Sequence, residues 1–504
     1  MFSNPHFNAG DWVVIFTYLA GIIGLGMWFG KDQHTTRDYF LGSRNVAWWG
    51  VGMSIVAAET SALTIIGVPA MAYGGNMAFL QMVLGYVLAR IVLVLVMVPH
   101  YFKGDIYSPY QLFANTFGAA ARQTAGGFFL ISESLAAGVR VYVACIPVQL
   151  MLGLPVLPAI VLFVGLSLLY TYVGGVKAVI WTDAVQFGLF LLGGLFAIGY
   201  IPTLVDGGLP VVLAKAQAAG KLHWLNTGFS LSQPFNLWMG LIGGTFVTLS
   251  SHGAEQLIVQ RVLACRNIAD GRKALALSAV AIFPLFFIFL LAGAMLWVFY
   301  QTHPFQIPLP EAGQGIKDAH DFIFPIFMMT EVPHVLRGFL IVAILSAAMS
   351  SVSSALTSLA SVLTMDFVKG QHGARSEAFY LRFSKYSTVL FGGILILVAY
   401  LSREVEFVLN AAYSLRGLTS GALLGGLFLA VFVRGGRAGP LIAGMTVSLA
   451  TMTAIQLLPR MDWSKALWQQ FIGPEVFWPW YTLIGACVTL LTAGIAGRLT
   501  RRKP

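Results

Sequence analysis

Charge is scarce in this chain. Only 10% of its 504 residues are Asp, Glu, Lys or Arg, against about 25% in a soluble globular protein. That deficit excludes a water-facing surface over most of the molecule. Cysteine is scarcer still: Cys145, Cys265 and Cys487 are scattered, with neither metal-ligand spacing nor a disulfide framework. Catalytic motifs are missing too. No GxSxG elbow, HExxH pair, Walker loop or strand-borne GxGxxG occurs, which leaves an enzyme little support. His252 and Glu255 lie one turn apart and read as a structural contact, a membrane acyltransferase being the competing use. The first apolar run lacks a basic leader and a small-residue cleavage site, so no cleaved signal peptide is expected.

Apolar residues are abundant: 58% of the chain, with a mean hydropathy of +0.79. This composition reads as an all-α polytopic membrane protein, one transmembrane domain over 1–504. An outer-membrane barrel would show weak alternating strands instead. Runs long enough to cross a bilayer fall near 11–30, 46–72, 77–100, 123–150, 157–175, 182–203, 236–259, 275–300, 337–365, 385–402, 406–433, 439–458 and 478–497. That makes about thirteen spans. Lys31, Arg37, Arg44, Lys103, Arg122, Lys177, Arg261, Arg266, Arg272, Lys273, Lys369, Arg375, Arg382, Lys385, Arg434, Arg437, Arg498, Arg501, Arg502 and Lys503 fall on one side. Only Lys215, Lys221, Lys317, Arg337, Arg403, Arg460 and Lys465 fall on the other. The positive-inside rule makes the first set cytoplasmic, the N-terminus outside and the C-terminus inside. The net charge of +10 follows from this topology and does not point to nucleic acid. Asp318 to Met329, in an outer loop, is apolar-periodic and reads as a helix over the outer face, either a lid or plain loop packing.

Polar residues inside the spans carry the functional signal, because lipid offers them no water. Residues 347–361 read AAMSSVSSALTSLAS. Ala347, Ser350, Ser351 and Ser354 share one helix face, with Ser353 beside them. Oxygens this close suit a small hard cation such as sodium; tight helix packing is the competing reading. The second span, SIVAAETSALTIIGVPAMAYGGN, puts Glu59 at membrane depth among Thr60, Ser61 and Thr64, with Pro69 following. An intramembrane charge is a functional hypothesis by default. A polar cluster beside Pro and Gly suits an interrupted helix whose freed carbonyls hold an ion. The alternative is a kinked packing helix in which Glu59 neutralises a structural arginine. GLIGGTFVTLSSHG at 240–253 lies about five spans later, where an inverted repeat would place the partner interruption.

Arg90, Arg140 and Arg416 also fall within spans. Glu59 and Glu133 could neutralise two of them. Glu133 and Arg140 are two turns apart, beyond a direct i,i+4 contact. Arg140 is thus half of a structural pair or a receptor for an anionic substrate. Asp183 opens a helix after a basic loop, where the helix dipole alone favours an acid.

Four motifs in order, DYFLGSRNVAWWGVGMSIVA (38–57), YTYVGGVKAVIWTDAVQ (170–186), HGAEQLIVQRVLACRN (252–267) and LTMDF (363–367), resemble the sodium:solute symporter family over nearly the whole chain. Within that family of sodium/glucose cotransporter-like proteins, they are most similar to the bacterial sialic acid-type members. The resemblance implies a LeuT-type fold of two inverted five-helix repeats, 46–203 and 236–433. An extra helix at 11–30 would precede them and two at 439–497 would follow. Helices 46–72 and 236–259 would be the interrupted ones. A main sodium site would use Ala57, Thr60, Ala347, Ser350 and Ser351. A second, present in some members, would use Asp183, Ser350, Ser353 and Ser354. Substrate would meet Glu59, Ser61, Thr64, Arg140 and Arg416. Sugar carriers of the family have Asn and Gln where this chain has Glu59 and Thr64, which argues against a sugar-only pocket.

The expectation is a sodium-coupled secondary active symporter of the inner (plasma) membrane. Its cargo would be a small carboxylated solute: sialic acid, a sugar acid, a monocarboxylate or an amino acid. Sodium is the coupling ion, and no other cofactor, transition metal or nucleic acid partner is expected. The alternatives are a proton-coupled carrier titrating Glu59 or Asp183, and a transporter-like sensor. A sensor would add a signalling domain, and a chain ending at Pro504 is expected to lack one.

Overall fold

The computed structural model describes residues 7–233, 235–309, 319–369, 375–402, 408–433, 435–473 and 475–501. Lys317, Arg403, Arg434, Arg502 and Lys503 of the charge pattern lie outside them, as does Asp318. The regular elements among the described residues are helices, joined by one isolated bridge between Val46 and Cys265. In lipid a backbone must satisfy its own hydrogen bonds, and a helix does so within one segment. The main helices are α1 (Ala9–Phe29), α2 (Trp48–Glu59), α3 (Ala62–Gly74), α4 (Leu80–Tyr101), α5 (Ala119–Leu152) and α6 (Val156–Tyr200). The run α7 comprises Met239–Gly244, Thr245–Leu249 and Ser250–Ala254, followed by α8 (Gln256–Leu263) and α9 (Ile268–Phe299). Then come α10 (Ile323–Thr330), α11 (Leu336–Val362), α12 (Glu377–Leu401), α13 (Val408–Phe432), α14 (Ala438–Leu457) and α15 (Pro479–Arg501). Nine helices among the described residues are long and apolar enough to cross a bilayer, ten when the bent pair α2–α3 counts as one.

Helix α6 has 45 residues. Unbroken, it would run about 68 Å, over twice the hydrocarbon thickness of about 30 Å. Gly175 divides it, with φ 56° and ψ −155°. A Cβ there would fall 2.5 Å from the Tyr39 carbonyl oxygen, so the bend requires glycine. The first half matches the apolar run 157–175, but the second starts at Val176, ahead of the run expected at 182–203, so Lys177 is helical and Asp183 lies two turns inside the helix rather than opening it.

The serine helix α11 sits at the centre and is the most enclosed of the candidate spans, whereas α1, α14 and α15 are among the least. Helix α1 is nevertheless tied to the start of α11. Asp11 caps its own helix through Asn8 and also accepts hydrogen bonds from the Val335 and Gly338 backbone N–H groups, at 2.8 and 3.3 Å. Helices α13 and α15 meet through Gly421 and Gly485. A Cβ on Gly421 would lie 2.6 Å from the Gly485 Cα, a spacing that small residues make possible between membrane helices.

Three further sequence expectations need adjusting. The second interruption falls at Glu255 (φ −99°, ψ 135°), after the glycine-rich run rather than inside it, and helix resumes to Leu263. Arg261, counted among the cytoplasmic loop charges, is on that resumed helix and fully buried. In the loop at 318–329 the helix is short. A single turn, Ala319–Phe322, leads into α10, and Asp321 reaches the central cavity.

Candidate functional site

The site is built around two helix breaks. At the first, the Thr60 N–H closes the last bond of α2 onto Val56 O at 2.9 Å. Thr60 and Ser61 then take extended conformations (φ −83°, ψ 91° and φ −84°, ψ 173°). The helix axes on either side differ by 56°. Such unwinding interrupts the i→i−4 ladder and exposes backbone oxygens.

Helix α11 packs against this break. Ser61, Arg140, Ala348 and Ser351 border a void of 10 Å³, about the volume one water-sized sphere occupies. Ala57, Thr60 and Ala347 are fully buried. The Thr60 hydroxyl has no hydrogen-bond partner among the described residues, and Ser351 Oγ donates to Ala347 O at 3.1 Å. Hydroxyl and carbonyl oxygens without thiolate or imidazole are hard-cation donors. An orphaned hydroxyl at the break fits such a guest. Ser350 differs: its hydroxyl turns to Asp183 Oδ1 at 2.7 Å.

Asp183 is the hub of a second, fully buried cluster. It accepts from Ser54 Oγ at 2.6 Å, Ser350 Oγ at 2.7 Å and Arg261 Nη2 at 2.9 Å. Arg261 also donates to Ser54 Oγ (2.8 Å), to the Leu257 carbonyl (2.5 Å) and to Ser354 Oγ. Ser353 and Ser354 bond back to the Ser350 carbonyl, at 3.1 and 2.6 Å. The acid and its serines are therefore together, and the cation they hold is a guanidinium. Sequence reasoning missed Ser54 and misassigned Arg261. A lone serine one turn before Ala57 in an apolar helix was the available signal.

Beside the first break lies a cavity of 320 Å³, lined in part by Glu59, Thr64, Arg140, His252, Glu255 and Arg416. Three ion pairs surround it. Glu59 pairs with Arg90, a fully buried arginine that also donates to Tyr86 O at 3.0 Å, Ser278 Oγ at 3.1 Å and His252 Nε2 at 3.0 Å. With Nε2 accepting, the proton of neutral His252 sits on Nδ1, where Ser251 Oγ lies 2.8 Å away. Arg416 bonds Glu255, its Nε 3.1 and 2.9 Å from the two carboxylate oxygens, so a helix-α13 arginine clamps the second break. Arg140 pairs with Glu133 despite the two-turn separation. Side chains lean toward the helix N-terminus, and arginine is long enough to reach back. Arg140 borders both the cavity and the small void, and its Nε is buried without a partner among the described residues. Ser61 faces the small void, while Thr64 lines the large cavity.

Two interrupted helices meeting a hydroxyl-rich helix beside a charged cavity define a secondary active transporter of the LeuT type. A model of the Sodium:solute symporter family matches residues 39–446, and the chain belongs to that family. It is 30% identical to the Sodium/sialic acid symporter SiaT of Proteus mirabilis over 458 residues, covering 88% of this chain and 89% of the relative. It is 27% identical to the human Sodium/iodide cotransporter over 452 residues, covering 89% of this chain and 70% of that one. A solved structure, the substrate-bound outward-open state of a Na+-coupled sialic acid symporter, superposes with a TM-score of 0.85 at 25% identity, covering 98% of both chains. The protein is a multi-pass, sodium-coupled symporter of the plasma membrane, a transporter rather than an enzyme.

Proposed function

We propose that this symporter imports a small carboxylated solute together with sodium, by alternating access. Residue Arg140 carries the reading. It offers a buried Nε–H without a partner among the described residues, where the cavity adjoins the void beside Ser61 and Ser351. Guanidinium is permanently charged and matches a carboxylate. The related SiaT and iodide carriers are named for anionic cargo, which supports an anion here. Ser61, Thr64, Glu59 and Arg416 complete the substrate wall.

Sodium binds between the first break and α11, through oxygens of Ala57, Thr60, Ala347, Ser350 and Ser351. It joins the two helices and favours the outward-open state. A second sodium binds at Asp183, Ser350, Ser353 and Ser354 in a state where Arg261 has withdrawn. Thirteen spans, an outside N-terminus, an inside C-terminus and inverted repeats at 46–203 and 236–433 complete the proposal. The potential supplies about 2.3 kcal/mol per charge per 100 mV. One sodium with a monoanion moves no net charge; two move one.

The test is Arg140→Gln in proteoliposomes. Carboxylate binding should be lost while sodium binding survives. Unchanged uptake would make Arg140 structural, and equal accumulation in choline medium would remove sodium as the driver.

A further inference from the structure

The cavity wall opposite in character to the arginines is a continuous run of aromatic rings. Phe79, Phe235, Phe286, Tyr86, Phe477 and Trp478 all line it. Phe79 stacks on Phe286 with centroids 5.4 Å apart and meets Phe235 edge-on at 5.0 Å. Phe235 in turn meets Phe477 at 5.7 Å, and Phe477 lies 6.0 Å from Trp478. These rings come from four separate parts of the chain, and the last two precede α15, outside the ten-helix core proposed above.

This wall is held in place. Phe235 adopts φ 54°, a left-handed conformation that bulky side chains avoid. Its carbonyl is gripped by Gln81 Nε2 at 2.9 Å. Strain of that kind persists where the surroundings over-determine it, and it concentrates at ligand clamps. The Phe477 N–H is fixed to the Leu231 carbonyl at 2.9 Å.

Three of the hydroxyls that line the cavity are already engaged within the protein. Ser420 Oγ and Thr482 Oγ1 are 2.8 Å apart, and Ser251 Oγ is engaged by His252. Hydroxyls of a polyhydroxylated cargo turned toward the ring wall would be buried there without partners, at a cost in free energy for each. An alkyl or aryl body would bury apolar surface against rings instead.

Resting on the carboxylate reading above, we propose that the cargo is an amphipathic carboxylate. Its acid group goes to Arg140, and an alkyl or aromatic body lies against the Phe79–Phe235–Phe286 wall, closed off by Phe477 and Trp478. Selectivity then comes from apolar length rather than from hydroxyl pattern.

Isothermal titration of the full-length protein in lipid nanodiscs tests this, in saturating sodium chloride and in choline chloride. The probes are propionate, butyrate, valerate, hexanoate and 3-phenylpropionate, against gluconate and N-acetylneuraminate. The Kd should fall about fourfold per added methylene, in sodium alone, with 3-phenylpropionate ahead of both sugar acids. Trp478→Ala should flatten the series without changing the sodium concentration for half-saturation. Sodium-dependent binding of a sugar acid more tightly than hexanoate overturns the amphipathic cargo while the carboxylate reading stands. An unvarying Kd along the series does the same. No sodium-dependent binding of any of these carboxylates overturns both.

Discussion

Arg261 and Asp183 form an ion pair inside the bundle, Nη2 to Oδ2 at 2.9 Å, with both side chains fully removed from solvent. The guanidinium stands where a second sodium would need Asp183. Deleting one half of a buried pair costs about 3–5 kcal/mol because the other charge is left alone. Arg261→Gln should therefore melt well below the parent protein in choline medium. Sodium should then restore much of the loss, because it can replace the missing cation. A sodium-induced rise in melting temperature no larger than that of the parent protein, whose main sodium site is intact, would exclude a second ion at Asp183.

The Thr60 hydroxyl, which has no hydrogen-bond partner among the described residues, makes a sharper prediction for the main site. Thr60→Val keeps shape and removes the oxygen, and Ser351→Ala does the same on α11. A contact to a charged group contributes about 1.5–3 kcal/mol. The sodium concentration for half-maximal uptake should rise at least about tenfold in either variant. Cargo affinity at saturating sodium should stay near the parent value. A change in cargo affinity alone would move these hydroxyls out of the ion site.

Glu59 compensates Arg90, which is fully buried and also holds Tyr86, Ser278 and His252. Glu59→Gln leaves that charge unmatched. It should destabilise the protein by about 3 kcal/mol or more, read as a lower denaturation midpoint. Arg90→Gln on the same background should recover part of the loss. A carrier driven through Glu59 titration would instead show uptake under a pH gradient without sodium, which is expected to be absent.

Asp38, between the candidate spans Ala9–Phe29 and Trp48–Glu59, couples stability to pH. Burial alone would push its carboxyl up. Hydrogen bonds from Ser43 Oγ (2.5 Å), Thr35 Oγ1 (2.8 Å) and the Thr35 N–H (2.9 Å) nevertheless hold it below the ordinary carboxylate value. A depressed folded-state pKa gives stability that is present above the unfolded value of about 3.9 and is lost as pH falls through the folded one. The stability gap between the parent and Asp38→Asn should therefore be full at pH 7 and close below about pH 4. Melting curves across that range measure it.

Packing of the last helix can be tested with two glycines. Gly421 abuts the Gly485 backbone, whereas a Cβ on Gly393 meets nothing within 4 Å. Gly421→Leu should abolish recovery of folded protein, because overpacking forces helices apart. Gly393→Leu should be tolerated. Equal yields by size-exclusion chromatography would contradict the α13–α15 contact.

Much of this protein is legible from local pattern. Apolar runs of bilayer length announce the spans, and Glu59 beside Pro69 announces the first break. The hydroxyl face at Ser350 announces a polar seam. These are properties of neighbours in sequence, set by helix period and by the cost of polar groups in lipid. Pairing of buried charges is not such a property. Arg416 closes on Glu255, 161 positions away, rather than on Glu59 or Glu133. Arg261 closes on Asp183, 78 positions away, although a charge count placed it on a loop. A charge in lipid must find an opposite charge, so the existence of partners could be foreseen. Which partner depends on how distant helices rotate and pack, and no local periodicity encodes that.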